Sequence, residues 1–247
     1  MDTKTDIPKL KHILFIPSWY PTSRNSVSGI FIQQQAQALQ KSGLKIGVLF
    51  FEECFSLTKK AGLRQEKGVW TCRSSGLVFP KRIKQLRPYW LRQWDTLFQY
   101  YTEHQGQPDI LHAHSFVGGY IAQYLSQKYG VPYVITEHYS GFIQNRIPRH
   151  WQTSLNSIYD NAEIVIAVSL NLRQKLQHYT KTAMEVIPNM VDISVFYPAK
   201  QKVPSPPIRM ITVGSLIDRK NTSFLLRVLS QLKVEATLTI VGEGPLL

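Results

Sequence analysis

"HILFIPSWYPTSRNSVSGIFIQQQAQAL", residues 12–39, decides the fold. Its apolar start, His12 to Ile16, has the composition of a buried strand, and Phe31 to Leu39 carries apolar residues at helical spacing. A long, polar, turn-rich segment joins them. A strand, a glycine-bearing loop and a helix start present unpaired backbone N–H groups and the positive end of a helix dipole, which together favour a phosphate. Ser28-Gly29 falls where those N–H groups would point, and glycine lets an anion approach the backbone without a Cβ in the way. The same pair also reads as an N-cap and a loop residue with nothing bound. No G-x-G-x-x-G follows the strand, so the dinucleotide fingerprint is missing.

Outward from this unit the pattern repeats. Strand-like runs near 12–17, 44–51, 68–73, 109–113, 132–136, 163–168 and 184–187 alternate with helical runs near 29–42, 83–104, 116–129, 150–160 and 170–179. That alternation predicts a parallel sheet with helices on both faces, and runs apolar throughout, such as Ile164 to Val168, fit strands covered on both sides. The expectation is an α/β, doubly wound, Rossmann-like domain over residues 1–197. Residues 198–207, with Pro198, Pro204, Pro206 and Pro207, read as a semi-rigid linker. A second βαβ unit then occupies 208–247, with strands from Ile208 and Ala236 and a helix from Asn221. Some 40 residues do not close a Rossmann-like core, so the second domain is expected to be incomplete here.

Of the 247 residues 43% are hydrophobic, enough for a substantial core. Lys and Arg outnumber Asp and Glu by 29 to 16, a net charge of +13 that favours anionic partners. Ten basic residues against Glu66 alone between Lys59 and Arg92 concentrate that charge. No apolar run approaches the roughly 18 residues of a membrane span and the first residues lack a signal-like core, so the cytoplasm is expected. Cys54 and Cys72 have no metal-ligand spacing and read as buried thiols.

Seven segments occur in order: "ILFIPSWYP…SGIFIQQQAQAL", "DILHAHS", "GVPYVITEH", "VIAVSLNLRQKL", "VIPNMVDISVFYP", "ITVGSLIDRKN" and "LTIVGEGPL". Together they resemble the group-1 (family 4) retaining, nucleotide-sugar-dependent glycosyltransferases of the two-domain GT-B fold. The resemblance implies a sugar moved from a nucleotide-diphosphate sugar to an acceptor hydroxyl of a glycan or lipid-linked molecule, as in cell-envelope or polysaccharide biosynthesis. No cofactor and no essential metal is implied. It assigns Gly29, with Ser28, to the donor diphosphate, and His138 to the transferred sugar. Gly214, Ser215, Arg219 and Lys220 fall on the family's second phosphate loop. Lys220 matches the phosphate-binding lysine, whereas Ser215 stands where many relatives have arginine, leaving Arg219 to supply the second cation. A pair of glutamates that hold the donor in relatives would lie beyond Leu247, so this chain alone is not expected to transfer sugar efficiently.

Other residues carry weaker readings. His138 follows a buried strand and so lies at the carboxyl edge of the sheet, where doubly wound folds bind ligands. His112 and His114 share a strand face, which suits a metal in principle, but the expected arrangement packs one and turns His114 toward the acceptor. Glu137 reads as an acceptor-side residue, either orienting His138 or solvated. Asn189, Asp192 and Ser169 read as structural. Residues 81–101 combine cations with Trp90, Trp94 and Phe98 at spacings of three to four, which fits a helix on an anionic membrane surface as well as it fits a core stripe with a basic rim. No nucleic-acid-binding motif is seen. The rival to a transferase is a non-catalytic module that docks an acceptor or a membrane; an epimerase would need a glycine fingerprint and a Tyr-x-x-x-Lys pair, neither of which is in place.

Overall fold

The computed structural model describes residues 11–54, 59–78, 80–198 and 207–246. Most of the expected linker lies outside these. The chain divides into two compact units, Met1–Val191 and Asp192–Leu247.

The first unit holds β1 (His12–Pro17), α1 (Ile30–Lys41), β2 (Lys45–Cys54), β3 (Lys59–Glu66), β4 (Val69–Leu77), α2 (Arg87–Gln105), β5 (Ile110–His114), α3 (Ser115–Tyr129), β6 (Tyr133–Glu137), α4 (Arg149–Asp160), β7 (Val165–Ala167), α5 (Leu170–Leu176) and β8 (Met184–Val186). Eight strands form one sheet in the order β3-β4-β2-β1-β5-β6-β7-β8. All neighbours are parallel except β3, which turns back on β4. β3 was not expected: its residues, KKAGLRQE, show neither an apolar run nor a clean alternation. Charged lysines suit it to the sheet edge it occupies, where they discourage pairing with another chain. The expected helix over 83–104 begins as a single turn at Lys84–Leu86 and becomes α-helical at Arg87, with Pro88 in its first turn, where a missing N–H costs nothing.

Successive residues of β1 and β2 feed opposite layers, as a strand covered on both faces must. Phe15, Ile46, Val48 and Phe50 pack with Ile32 and Ala36 of α1. Leu14, Ile16, Leu49 and Phe51 pack with Trp90, Trp94, Phe98 and Tyr101 of α2 and with α3. The aromatic stripe of α2 is therefore core, each ring contributing about 1.5–3 kcal/mol by burial, and the rings are not available to enter a lipid interface. Cys54 and Cys72 are both buried, and burial pushes the Cys72 thiol up to about 12.

The second unit holds β9 (Ile208–Val213), α6 (Thr222–Ser230) and β10 (Ala236–Val241), with β9 and β10 parallel. Its apolar residues lie largely open: Ile211 is 68% exposed, Val213 70% and Phe224 50%.

Candidate active site

The carboxyl ends of β1, β5 and β6 lie side by side, with Pro17 opposite His114 and His114 opposite Thr136. Everything that follows them converges on this edge. After β1, Ser18 donates its hydroxyl to the His114 carbonyl at 2.7 Å and accepts from the Gly118 amide at 2.9 Å, so one side chain ties the loop to the first turn of α3. The opening loop then returns over itself. Gly29 has φ 66°, and a Cβ there would lie 2.2 Å from the Trp19 carbonyl oxygen, so only glycine closes the loop. The Ser28 amide donates to Asn25 Oδ1 at 3.0 Å, and those of Ile32 and Gln33 donate to the Gly29 carbonyl. The Ser28 N–H is thus satisfied within the loop.

Two residues beyond Gly29, the Phe31 ring packs against His138 with centroids 4.7 Å apart. The loop and His138, distant in sequence, belong to one site. Behind His138 runs a column of rings: His138 stacks on His114 at 5.4 Å, His114 on His112 at 4.5 Å, and Phe15 packs against both His112 and His114. His114 Nδ1 lies 3.2 Å from His138 Nε2, a hydrogen bond in which one ring donates. His112 Nε2 is 2.7 Å from Thr136 Oγ1. Burial holds all three rings neutral: His112 falls to about 3 and His138 to about 4, with the Asn189 side chain opposing the latter, and His114 falls well below its usual value. His114 Nε2 and His138 Nδ1 are buried and make no hydrogen bond.

Glu137 is fully buried, with four donors on its two oxygens. Oε1 accepts from Ser115 Oγ at 2.6 Å and from the amides of His138 and Tyr139 at 2.9 and 2.8 Å, while Oε2 accepts from the Tyr159 hydroxyl at 2.7 Å. Burial still raises its pKa, against the pull of those donors. Ser115 sits at φ 68°, a left-handed backbone that costs a non-glycine residue about 1–3 kcal/mol. Its bond to the carboxylate helps hold it there. The expectation that His114 and Glu137 face an acceptor is corrected: both are wholly enclosed, and they support His138 from beneath. Ser18, Phe31, Ser115 and Tyr159 were not singled out from sequence, since nothing local marks a residue whose role is to meet a partner 22 positions away, as for Ser115 and Tyr159, or about a hundred, as for Ser18 and Phe31.

Beside this edge, a cavity of about 230 Å³ opens between the first loop and β2, lined among others by Trp19, Glu53, Lys81 and Trp90. Lys81 Nζ is 2.6 Å from Glu53 and lies over the Trp90 ring at 5.1 Å. Among the described residues no group of three or more His, Cys, Asp or Glu is arranged to hold a metal ion.

In the second unit, Gly214 follows β9 and Gly242 follows β10. A Cβ on Gly242 would lie 1.9 Å from the Gly214 carbonyl oxygen, so the two glycine turns pack backbone to backbone. A single helical turn, Asp218–Lys220, precedes α6. The turn brings Lys220 back to Gly214, where a Cβ would meet Lys220 Cε at 3.7 Å. Ser215, Arg219 and Lys220 are exposed, and neither cation is in an ion pair among the described residues.

The parallel sheet, with ligand-facing loops at its carboxyl edge, defines a Rossmann-like protein of the GT-B class. Over 94% of its length the chain superposes on 62% of sucrose-phosphate synthase from Thermosynechococcus elongatus, with a TM-score of 0.67 at 16% identity. It likewise covers 61% of Anabaena HepE solved with UDP-glucose, at TM-score 0.61 and 15% identity over 95% of the chain. Residues 28–195 match Glycosyltransferase Family 4, and the chain belongs to that family. Among curated proteins it is 26% identical to TuaC of Bacillus subtilis, a glycosyltransferase whose name places it provisionally in teichuronic acid biosynthesis. That match covers 94% of this chain and 66% of TuaC. It is 25% identical to the D-inositol 3-phosphate glycosyltransferase of Pseudarthrobacter chlorophenolicus, over 87% of this chain and 56% of the relative. The chain thus spans between about half and two thirds of the length of these relatives.

Proposed function

We propose that this chain carries the acceptor side, and part of the donor side, of an enzyme that moves a sugar from a nucleotide-diphosphate sugar to a hydroxyl of a glycan or lipid-linked acceptor, with retained configuration. The observation that carries the reading is His138, kept neutral by burial, held at the carboxyl edge by His114 and Glu137 and packed against the first turn of α1 through Phe31. A neutral imidazole fixed in orientation by His114 can meet a sugar without adding charge at the carboxyl edge. Such a contact matters most when it strengthens as the glycosidic bond breaks.

Diphosphate departure needs positive charge. Lys220 and Arg219 are its proposed source in the second unit, with Gly214 and Ser215 giving backbone access; within the first unit, the amides of Gly29 and Phe31 with the α1 dipole are its proposed phosphate-binding element. Ser28 shapes the loop. Glu137 is not a nucleophile on this reading, because both its oxygens are occupied by four donors. The diphosphate, rather than a protein carboxylate, then steadies the oxocarbenium-like transition state. UDP-glucose bound to HepE, a protein of the same fold, supports the donor class. The cavity beside Trp19 suits the acceptor end, since a sugar face packs on an aromatic ring such as the half-buried Trp19 while Glu53 and Lys81 offer hydrogen bonds.

Teichuronic acid in the name of TuaC supports a cell-envelope role, acting from the cytoplasm, where an anionic leaflet would be met by Arg82 and Lys84 with the exposed Ile83 and Tyr89. No described helix is long and apolar enough to cross a membrane.

Turnover tests the reading. Incubated with UDP-, GDP- and ADP-sugars, the protein is expected to release nucleoside diphosphate from one of them, and His138→Ala or Lys220→Ala lowers kcat by about a hundredfold or more. Wild-type turnover in both variants would reject the assigned roles, and no turnover with any donor, from this chain or from a version extended by about 130 residues, would favour a non-catalytic docking module.

A further inference from the structure

Larger than the cavity beside Trp19 is a charged groove of about 660 Å³ between the opening loop and the β3–β4 hairpin. This is a volume typical of small-molecule sites. Lys60, Arg64, Lys67 and Arg73 line it against Glu52 and Glu66, four positive charges less two negative, or +2.

Its two walls are pinned together. The Arg73 guanidinium, stacked over Tyr20 and Phe50, makes a fork to Glu66, Nε to Oε1 at 2.6 Å and Nη2 to Oε2 at 2.7 Å. The same Nη2 donates to the Pro21 carbonyl of the opening loop at 2.8 Å. Glu66 also takes Arg64 Nε at 2.7 Å, and these partners hold its carboxyl below the usual range despite burial. Glu66 is thereby neutralised within the wall, which leaves Lys60 and Lys67 outside any ion pair among the described residues. Hydroxyls of Thr22, Ser23, Ser26 and Ser75 complete the lining, and no aromatic ring does. Thr22 and Glu52 also line the cavity beside Trp19, so groove and cavity adjoin.

We propose that this groove binds the anionic repeat of the acceptor, a glycan or glycosyl phosphate carrying carboxylate or phosphate groups, while the terminal sugar that receives the new residue sits in the cavity. Lys60 and Lys67 supply the charge, the hydroxyls take the sugar's own hydroxyls, and Glu52 at the shared mouth suits a sugar hydroxyl rather than an anion. A nucleic acid would want rings to stack on, which the lining does not offer. The proposal rests on the acceptor reading given above for the cavity.

Binding, not turnover, tests it, so its failure is distinct from failure of the transferase reading. Isothermal titration compares a tetragalacturonate, a glycerol-phosphate tetramer, neutral maltotetraose and a short oligothymidylate. The expected result is that one or both anionic glycan-type probes bind, more weakly as salt is raised, and that maltotetraose and oligothymidylate bind at least tenfold less tightly. The preferred anionic probe identifies carboxylate or phosphate as the charge that is read. Lys60→Glu with Lys67→Glu should weaken that binding by about tenfold or more, whereas Lys84→Glu with Arg92→Glu, the same charge change off the groove, should leave it within about twofold. Equal losses in the two double variants, preference for the neutral or the thymidylate probe, or no binding of either anionic probe would overturn the proposal.

Discussion

At His138 a single ring gathers the first unit's proposed chemistry, and its state is set by what surrounds it. A histidine whose folded pKa is depressed binds its proton more readily when unfolded, so its contribution to stability is whole above about pH 6.5 and is lost as pH falls toward the folded value. His112, His114 and His138 all act in this sense, each worth up to about 1.4 kcal/mol per pH unit within its window. Glu137 opposes them, because its raised pKa returns stability as pH falls, but it is one group against three. Urea unfolding between pH 7 and 5 should therefore show a steep loss of stability; a flat profile would contradict neutral rings in the column. Glu137→Gln tests the support beneath them. An amide cannot accept all four donors without turning its NH2 toward one, so the variant should be less stable by about 2 kcal/mol at pH 7 in urea melts. Wild-type stability would mean the carboxylate is not spent as described.

Among the elements, the loop into α1 and the stripe on α2 separate two roles that sequence leaves mixed. Gly29→Ala adds a Cβ at φ 66° facing the Trp19 carbonyl, so it should cost about 1–3 kcal/mol and move the Trp19 segment, read by melting and by tryptophan fluorescence. An unchanged melt and spectrum would show the loop to be loose. Trp94→Ala should cost about 3–5 kcal/mol and leave binding to anionic vesicles unchanged, since the ring packs in the core; weaker vesicle binding with native stability would instead put the stripe at the lipid. The βα alternation was legible because buried parallel strands are apolar throughout, as from Ile164 to Val168, and because amphipathic helices keep a 3.6-residue period. β3 was not legible: an edge strand bearing Lys60 and Arg64 has no apolar pattern to find. His138 was visible at a strand end, but its support was not, because the Glu137 partners Ser115 and Tyr159 lie 22 residues away on either side. The motifs by which the chain resembles its family mark the ligand edge and stay silent about the layer under it.

On the scale of the whole chain, the two units differ in how much they bury. Strands β1, β2 and β5 are enclosed on both faces, whereas β9, β10 and α6 leave most of their apolar residues open. Amides of β9 and β10 should therefore exchange hydrogen through low-cost local opening, far faster than those of β1 and β5; equal protection would contradict the exposure seen here. The central claim is that a nucleotide sugar meets the first unit at Gly29 and His138. Hydrogen exchange with and without saturating UDP-, GDP- or ADP-glucose tests it most directly. One donor is expected to slow exchange at residues 29–31 and 138–139 together, while slowing confined to other segments, or none with any donor, would contradict the account.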